Sequence, residues 1–187
     1  MAANSRQPLV VMGLGNILWG DDGLGVAAVR ILARRFDAPD GARVLDGGTL
    51  GLSLLPIIQD ADSVLLVDAI RCAGADAGTL VRIEGDDVAP AVRERLSPHQ
   101  IGVADLLEAA HLLDCYPRRL VLLGIVPQHL DFGLGLSAVV ERQLDHLVNR
   151  VVEEASGWGY VFRARAETEE TVRGDAGDSA GSARLRE

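Results

Sequence analysis

The sequence predicts an α/β fold in which a mostly parallel sheet lies between helices on both faces. Short runs of branched apolar residues alternate along the chain with segments whose apolar residues recur at helical spacing. The clearest run, SVLLVDA at residues 63–69, has four consecutive branched apolar residues, which is typical of a strand covered on both faces. We therefore expect this strand to be central in the sheet.

Four further segments are predicted as strands. Residues 8–12 are rich in Leu and Val and end at Gly13-Leu14-Gly15, and residues 42–45 run into Asp46-Gly47-Gly48-Thr49. Residues 78–84 alternate in polarity, and residues 119–126 form another buried run. With residues 63–69, the sheet would have five strands.

Helices are predicted between these strands from their apolar spacing. Residues 24–36 place arginines on the outer face and in the last turn, and residues 103–113 are apolar at helical spacing. Residues 50–59 should form a short or kinked helix, because Pro56 cannot donate a helical hydrogen bond. Residues 137–155 carry one apolar stripe and are expected to form the longest helix.

Length and composition indicate a single domain followed by a tail. The chain has 187 residues, 48% of them hydrophobic, which suits one well-filled core over residues 1–160. From Arg163 the composition turns to small and charged residues, with Val172 and Leu185 the only large aliphatics. We expect residues 161–187 to be disordered or loosely packed, because such a segment buries too little apolar surface.

Charge and cysteine usage limit the partners and the compartment. A formal net charge of -9 argues against nucleic acid and anionic membrane surfaces. Neither a signal peptide nor an apolar run of membrane-spanning length is evident. Cys72 and Cys115 are isolated and read as reduced packing residues, so a cytoplasmic location is expected.

Polar residues that follow the buried strands are the candidates for a functional site, because ligands of open α/β sheets bind at the carboxyl ends of the strands. Four groups qualify: Asn16 with Asp21 and Asp22, Asp46, Asp68, and Ser97-Pro98-His99-Gln100. Two carboxylates and an imidazole would form an O,O,N ligand set for a divalent transition metal.

Simpler interpretations compete with this one. Gly13-Leu14-Gly15 favours a dinucleotide site only weakly, since the third glycine is missing and two acids would repel a pyrophosphate. Asp21 or Asp22 could be a helix cap, and Asp68 could be a solvated loop cap. His99, considered alone, is more often an ordinary surface histidine than a ligand.

The segment from Gly13 to Val26, GLGNILWGDDGLGV, closely resembles the opening motif of the hydrogenase maturation endopeptidases, GNxLxxDDGxG. Three other segments resemble motifs of that family in the same order: Asp46-Gly47-Gly48-Thr49, Val67-Asp68-Ala69, and Ser97-Pro98-His99-Gln100 with Gly102 and Asp105. Four ordered motifs are far more specific than a lone glycine pattern. The resemblance covers roughly residues 9–158.

This resemblance implies a fold, a reaction and a site. The fold would be a three-layer sandwich with a twisted five-stranded sheet. The reaction would be removal of the C-terminal extension from the [NiFe]-hydrogenase large-subunit precursor after nickel insertion, by a monomeric protein. Asp22, Asp68 and His99 would contact nickel supplied by the substrate, and Asp22 and Asp68 are the catalytic candidates. Where this chain has Asp22, family members often have Glu.

The resemblance leaves the chemistry open. The family has been grouped with aspartic peptidases, but the paired Asp-Thr/Ser-Gly segments of the pepsin type are missing. A metal-polarised carbonyl, a metal-activated water and a carboxylate base are all compatible with the residues. Two alternatives to the protease are a non-catalytic nickel-sensing carrier or checkpoint protein, and a metal-dependent amidase of small peptides.

Overall fold

The computed structural model describes residues 8–93 and 101–165, which form a sheet between two layers of helices. The strands are β1 (Leu9–Leu14), β2 (Phe36–Asp37), β3 (Ala42–Gly48), β4 (Ser63–Ala69), β5 (Leu80–Glu84), β6 (Arg119–Ile125) and β7 (Arg163–Ala164). The helices are α1 (Leu24–Arg35), α2 (Leu55–Gln59), α3 (Val88–Arg93), α4 (Ile101–Leu112), α5 (Ala138–Glu141) and α6 (Leu144–Gly157). Short 3-10 turns at Gly20–Gly23, Gly51–Leu54 and Gly85–Asp87 precede α1, α2 and α3.

The main sheet has five strands in the order β3-β1-β4-β6-β5, so the predicted central position of β4 is confirmed. β3, β1, β4 and β6 are parallel, and β5 is an antiparallel edge strand. Gly13 of β1 pairs with Asp46 on one side and with Val67 on the other. Asp68 pairs with Gly124 of β6. The carboxyl ends of four strands therefore meet at one edge, which we call the carboxyl edge.

Each face of the sheet carries its own apolar core. Residues of β4 alternate between the two faces, as the period of a strand requires. Leu65 and Val67 pack with α1 and α6, whereas Val64 and Leu66 pack with α2, α3 and α4. The strand is buried along its whole length. This two-sided burial explains why the β4 sequence is an unbroken apolar run and confirms the predicted three-layer architecture.

One predicted helix differs from the structure, and another agrees with it. The helix expected at residues 137–155 is broken into α5 and α6 by a turn in which the Gln143 N–H donates to the Val140 carbonyl. Its apolar stripe is nevertheless correct, because Val140, Leu147 and Val151 are all buried. The helix expected at residues 50–59 is short, as predicted, with Pro56 in the first turn of α2. No prediction was made for α3.

The boundary of the tail also needs correction. Phe162 is buried in the core, and β7 pairs antiparallel with β2. The Arg165 N–H donates to the Arg35 carbonyl, and its side chain pairs with Asp37. The packed chain therefore continues at least to Arg165 rather than ending at Tyr160. Burial of one aromatic side chain and a two-residue strand pairing hold this segment, and neither leaves a pattern that the sequence shows. The rest of the predicted tail, residues 166–187, lies outside the described residues.

Two smaller expectations concern cysteine and membrane contact. Cys115 packs against the core beside α4, but Cys72 is exposed and is not the packing residue that we expected. Within residues 8–93 and 101–165, none of the helices combines the length and the hydropathy needed to span a membrane.

Candidate functional site

The turn from β1 into α1 forms one wall of the carboxyl edge. Gly15 has a φ of +112°, and a Cβ atom there would lie 1.8 Å from the carbonyl oxygen of Asp22. A Cβ atom on Gly25 would lie 2.1 Å from the carbonyl oxygen of Val67. Only glycine fits at these two positions. Their absent side chains let the Asp22 turn close against β1 and let α1 begin directly on β4.

Asp22 is the residue of this turn that faces β1. Its side chain is 1% exposed, and its Oδ2 accepts the Asn16 N–H at 2.6 Å. This bond is not made to the first turn of α1, and neither are the bonds of Asp21 described below. The residue that caps α1 is Gly23, which has no side chain to accept a hydrogen bond. The helix-cap interpretation is therefore wrong for Asp21, and the bond of Asp22 to Asn16 does not cap α1 either.

Asp68 is the polar residue near the carboxyl end of β4. It is 2% exposed, and its Oδ1 accepts the N–H of Ala69 at 2.8 Å. By the alternation of β4, Asp68 lies on the face of Val64 and Leu66, which is the face covered by α4. The solvated loop-cap interpretation is therefore wrong for this carboxylate. The 3-10 turn of Asp22 contacts β4, so the structure brings both acids to the same edge.

Asp21 has a different set of partners from its neighbour. Its Oδ2 accepts hydrogen bonds from the Gln128 N–H at 2.8 Å, the His129 N–H at 3.3 Å and the Ser137 hydroxyl at 2.9 Å. Its Oδ1 accepts the Ser137 N–H at 2.6 Å. All of these donors lie in the loop between β6 and α5, so Asp21 fastens that loop to the turn that carries Asp22.

The other predicted site residues are placed less fully. Asp46 lies within β3 near its carboxyl end rather than after the strand, and it is exposed and pairs with Arg30 at 2.9 Å. His99, with its neighbours Ser97, Pro98 and Gln100, lies outside the described residues. The nearest described part is the start of α4, where Gly102 packs closely against Gly51 in the loop after β3. α4 therefore begins at the carboxyl edge.

The described residues place two buried carboxylates at the carboxyl edge. Oxygen donors of this kind can bind a divalent transition metal, and an imidazole can complete the set. Among residues 8–93 and 101–165, no cluster of three or more His, Cys, Asp or Glu side chains is spaced to hold a metal ion. A third ligand would come from elsewhere in the chain or from a substrate.

The loop between β6 and α5 is the part of the site region that the sequence did not reveal. It supplies the partners of Asp21, and it exposes Phe132 and Leu134 beside the Asp22 turn. The signal present in the sequence was Ser137, which was correctly predicted to begin a helix and is the N-cap of α5. Nothing local indicates that its N–H and hydroxyl also bind an acid 116 residues earlier.

The sequence matches a known family along most of its length. The profile described as hydrogenase maturation protease matches residues 26–154. The hydrogenase expression/formation protein HupD of Rhodobacter capsulatus is 38% identical over 162 residues, which are 85% of this chain and 76% of that protein. The hydrogenase 2 maturation protease of Escherichia coli is 34% identical over 144 residues, covering 77% of this chain and 88% of that protein.

Solved structures agree with the sequence comparison. The hydrogenase maturating endopeptidase HybD from Escherichia coli superposes with a TM-score of 0.82 at 32% sequence identity. The match covers 86% of this chain and 99% of that one. The whole three-layer architecture, and not only the Asp22 turn, is therefore similar to that of the solved endopeptidase.

Proposed function

The chain belongs to the hydrogenase maturation protease family, and we propose that it removes the C-terminal extension of a [NiFe]-hydrogenase large-subunit precursor once nickel has been inserted. Membership in this family makes it an endopeptidase, which favours the protease over the carrier and the amidase. The observation that supports the finer proposal is the placement of two buried carboxylates, Asp22 and Asp68, at the carboxyl edge of the central strand.

Asp22, Asp68 and His99 would contact the nickel of the precursor. Nickel is the substrate's ion, and carboxylate oxygen and imidazole nitrogen are both ligands that it accepts. Two carboxylates that are shielded from water attract a cation strongly, because charges are screened less there than in water. The same region of a precursor without nickel is neutral and is attracted far less. A nickel-loaded precursor would therefore bind at these acids, whereas a precursor without nickel would not bind there and would not be cleaved.

The residues are compatible with an aspartic type of cleavage or with metal assistance. Asp22 or Asp68 could hold the proton of an attacking water as a general base. The substrate's nickel, when present, could instead polarise the scissile carbonyl. Each route requires at least one of the two carboxylates in its ionised form. We further propose that the protein acts in the cytoplasm as a monomer.

The decisive experiment uses purified precursor large subunit prepared with and without nickel. We expect the full chain to shorten only the nickel-loaded precursor, giving one new C-terminus by mass spectrometry. Equal shortening of both precursors would refute nickel sensing and leave the peptidase activity intact. No shortening of either would refute the proposed substrate.

The role of His99 needs a separate variant. We expect His99→Ala to reduce cleavage of nickel-loaded precursor strongly, because it would remove the nitrogen ligand. The matched control is His111→Ala, since His111 is exposed on α4 and its ring contacts the ring of Tyr116 edge-on. Equal activity of the two variants would remove His99 from the site.

A further inference from the structure

Two loops at the carboxyl edge expose a group of large apolar side chains. They are the apolar rim, which we define as Ile17, Leu18, Trp19, Phe132 and Leu134. Phe132 and Leu134 are 79% and 81% exposed. Exposed apolar side chains that are grouped into one patch, rather than scattered singly, mark an interaction site.

The apolar rim is held as one body rather than as two independent loops. The Gly20 N–H donates to the Gly133 carbonyl, and the Gly133 N–H donates to the Leu18 carbonyl, both at 2.9 Å. The rings of Trp19 and Phe132 meet edge-to-face at 6.3 Å between centroids, with an interplanar angle of 89°. Behind them, Asp21 binds the loop through Gln128 and Ser137. A partner therefore meets a preformed surface and loses little free energy in ordering it.

The position of the rim identifies its occupant. Trp19 precedes Asp22 by three residues, and the turn that carries Asp22 contacts β4 at the end where Asp68 lies. A polypeptide that brings a scissile bond to Asp22 would come next to Trp19 and, through the contact of Trp19 with Phe132, next to the rest of the rim. Given the proposed function, on which this step rests, that polypeptide is the precursor.

We propose that the apolar rim is the docking surface for an apolar segment of the precursor large subunit next to the bond that is cut. Burial of Phe132 and Leu134 supplies binding free energy at a distance from the reacting atoms. The rim therefore selects and holds the substrate, whereas Asp22 and Asp68 act at the metal and the scissile bond. Loss of the rim should weaken binding and leave the chemical step nearly unchanged.

The test compares two double variants, each of which replaces two exposed apolar side chains by serine. Phe132→Ser with Leu134→Ser disrupts the rim, and Leu112→Ser with Leu113→Ser is the control at the end of α4. Leu112 is 83% exposed, so its change should be tolerated as well as that of Leu134. Binding of the nickel-loaded precursor and the kinetics of its cleavage are measured with the full chain and with each variant.

We expect the rim variant to raise the Kd and the KM for precursor about tenfold or more, with kcat changed less than about threefold. The control should stay within about twofold of the wild type in all three. Equal Kd and KM values for the two variants would overturn the proposal. A wild-type chain that dimerises through the rim, and becomes monomeric in the rim variant, would also overturn it by assigning the surface to a second copy. Failure of the proposed function would be distinguishable from failure of the docking proposal, because in the first case the wild-type chain itself would cleave no precursor.

Discussion

Asp21 and Asp22 are neighbours in the chain and are both buried, but they face two different regions of the molecule. Asp21 points into the loop between β6 and α5 and accepts four hydrogen bonds from it. Asp22 points back toward Asn16 and Gly15 at the end of β1. The first acid shapes the loop that forms part of the apolar rim, and we propose that the second acts on the substrate.

The difference shows that a motif of two acids can combine structure and function in adjacent residues. A carboxylate that accepts several hydrogen bonds from the protein stabilises the fold through them. A carboxylate that serves a substrate has to keep its charge available for a group that the protein does not contain. Four sets of experiments follow, ordered from the largest expected effect to the smallest: the first two test this division, and the last two test regions with a structural role alone.

The largest effect is expected for Asp68→Asn. Asparagine keeps the volume and can still accept the Ala69 N–H, but it removes the negative charge that a cation requires. Cleavage of nickel-loaded precursor should fall by at least about a hundredfold, because even outer-shell changes at metal sites cost about 10- to 100-fold. The free energy of unfolding should change by no more than about 1 kcal/mol. Asp60→Asn, an exposed acid just before β4, is the control and should cleave like the wild type.

Asp21→Asn should show the reverse pattern. One of the two oxygens of Asp21 would be replaced by an NH₂ group, which cannot accept the hydrogen bonds that the loop donates. Hydrogen bonds to a charged acceptor would therefore be lost. We expect a loss of about 2 to 3 kcal/mol, seen as a fall in Tm of roughly 5 to 10 °C. Asp22→Asn should cost less than about 1 kcal/mol but abolish most cleavage. If both variants lost stability equally and cleavage equally, the division between these neighbours would be wrong.

Truncation tests a structural region that lies away from both acids. A chain ending after Arg165 should be as stable as the full chain, whereas one ending after Tyr160 should lose about 2 to 3 kcal/mol. The reason is that buried Phe162 contributes about that much on burial, and the exposed Arg165–Asp37 pair adds little. Phe162→Ala in the full chain should reproduce most of the loss in chemical denaturation. Equal stability of the two truncated chains would show that β7 contributes nothing.

The smallest effect concerns a carboxylate with a purely structural partner. Arg82 binds both carboxylate oxygens of Glu154, and this hydrogen bonding lowers the pKa of Glu154 below its ordinary value. The pair should therefore stabilise the fold above the ordinary glutamate pKa and lose this contribution as the pH falls through the lower folded value. Glu154→Gln should cost up to about 1 kcal/mol near pH 7. The difference from wild type should disappear in acid, and cleavage should not change.

Much of the fold followed from the sequence because the strands that matter are buried on both faces. An unbroken apolar run as short as that of β4 indicates a strand that is covered on both faces. The glycines that follow the apolar residues of β1 mark the end of that strand. The break between α5 and α6 was not predictable, since the apolar stripe passes through it without interruption. β2 and β7 were missed because a two-residue pairing leaves no periodic pattern.

The location of the candidate site was predicted in part. Asp68 stands out because it is an acid at the carboxyl end of an apolar strand, whereas Asp22 was selected by its place in the family motif, and both lie at the carboxyl edge. The sequence could not separate Asp21 from Asp22, since the partners of Asp21 lie 107 to 116 residues away in a loop without regular structure. The apolar rim was missed for the same reason, as its two halves meet only in three dimensions.

The short pairing of β2 with β7 has a practical consequence for handling the protein. α1 runs from the carboxyl edge to the opposite edge of the sheet, where β2 follows it and β7 is fastened beside it. Arg165 consequently lies on the side of the molecule that faces away from Asp22, Asp68 and the apolar rim. In a chain shortened to end at Arg165, a C-terminal affinity tag fixed to a sensor chip would leave the carboxyl edge facing the solution.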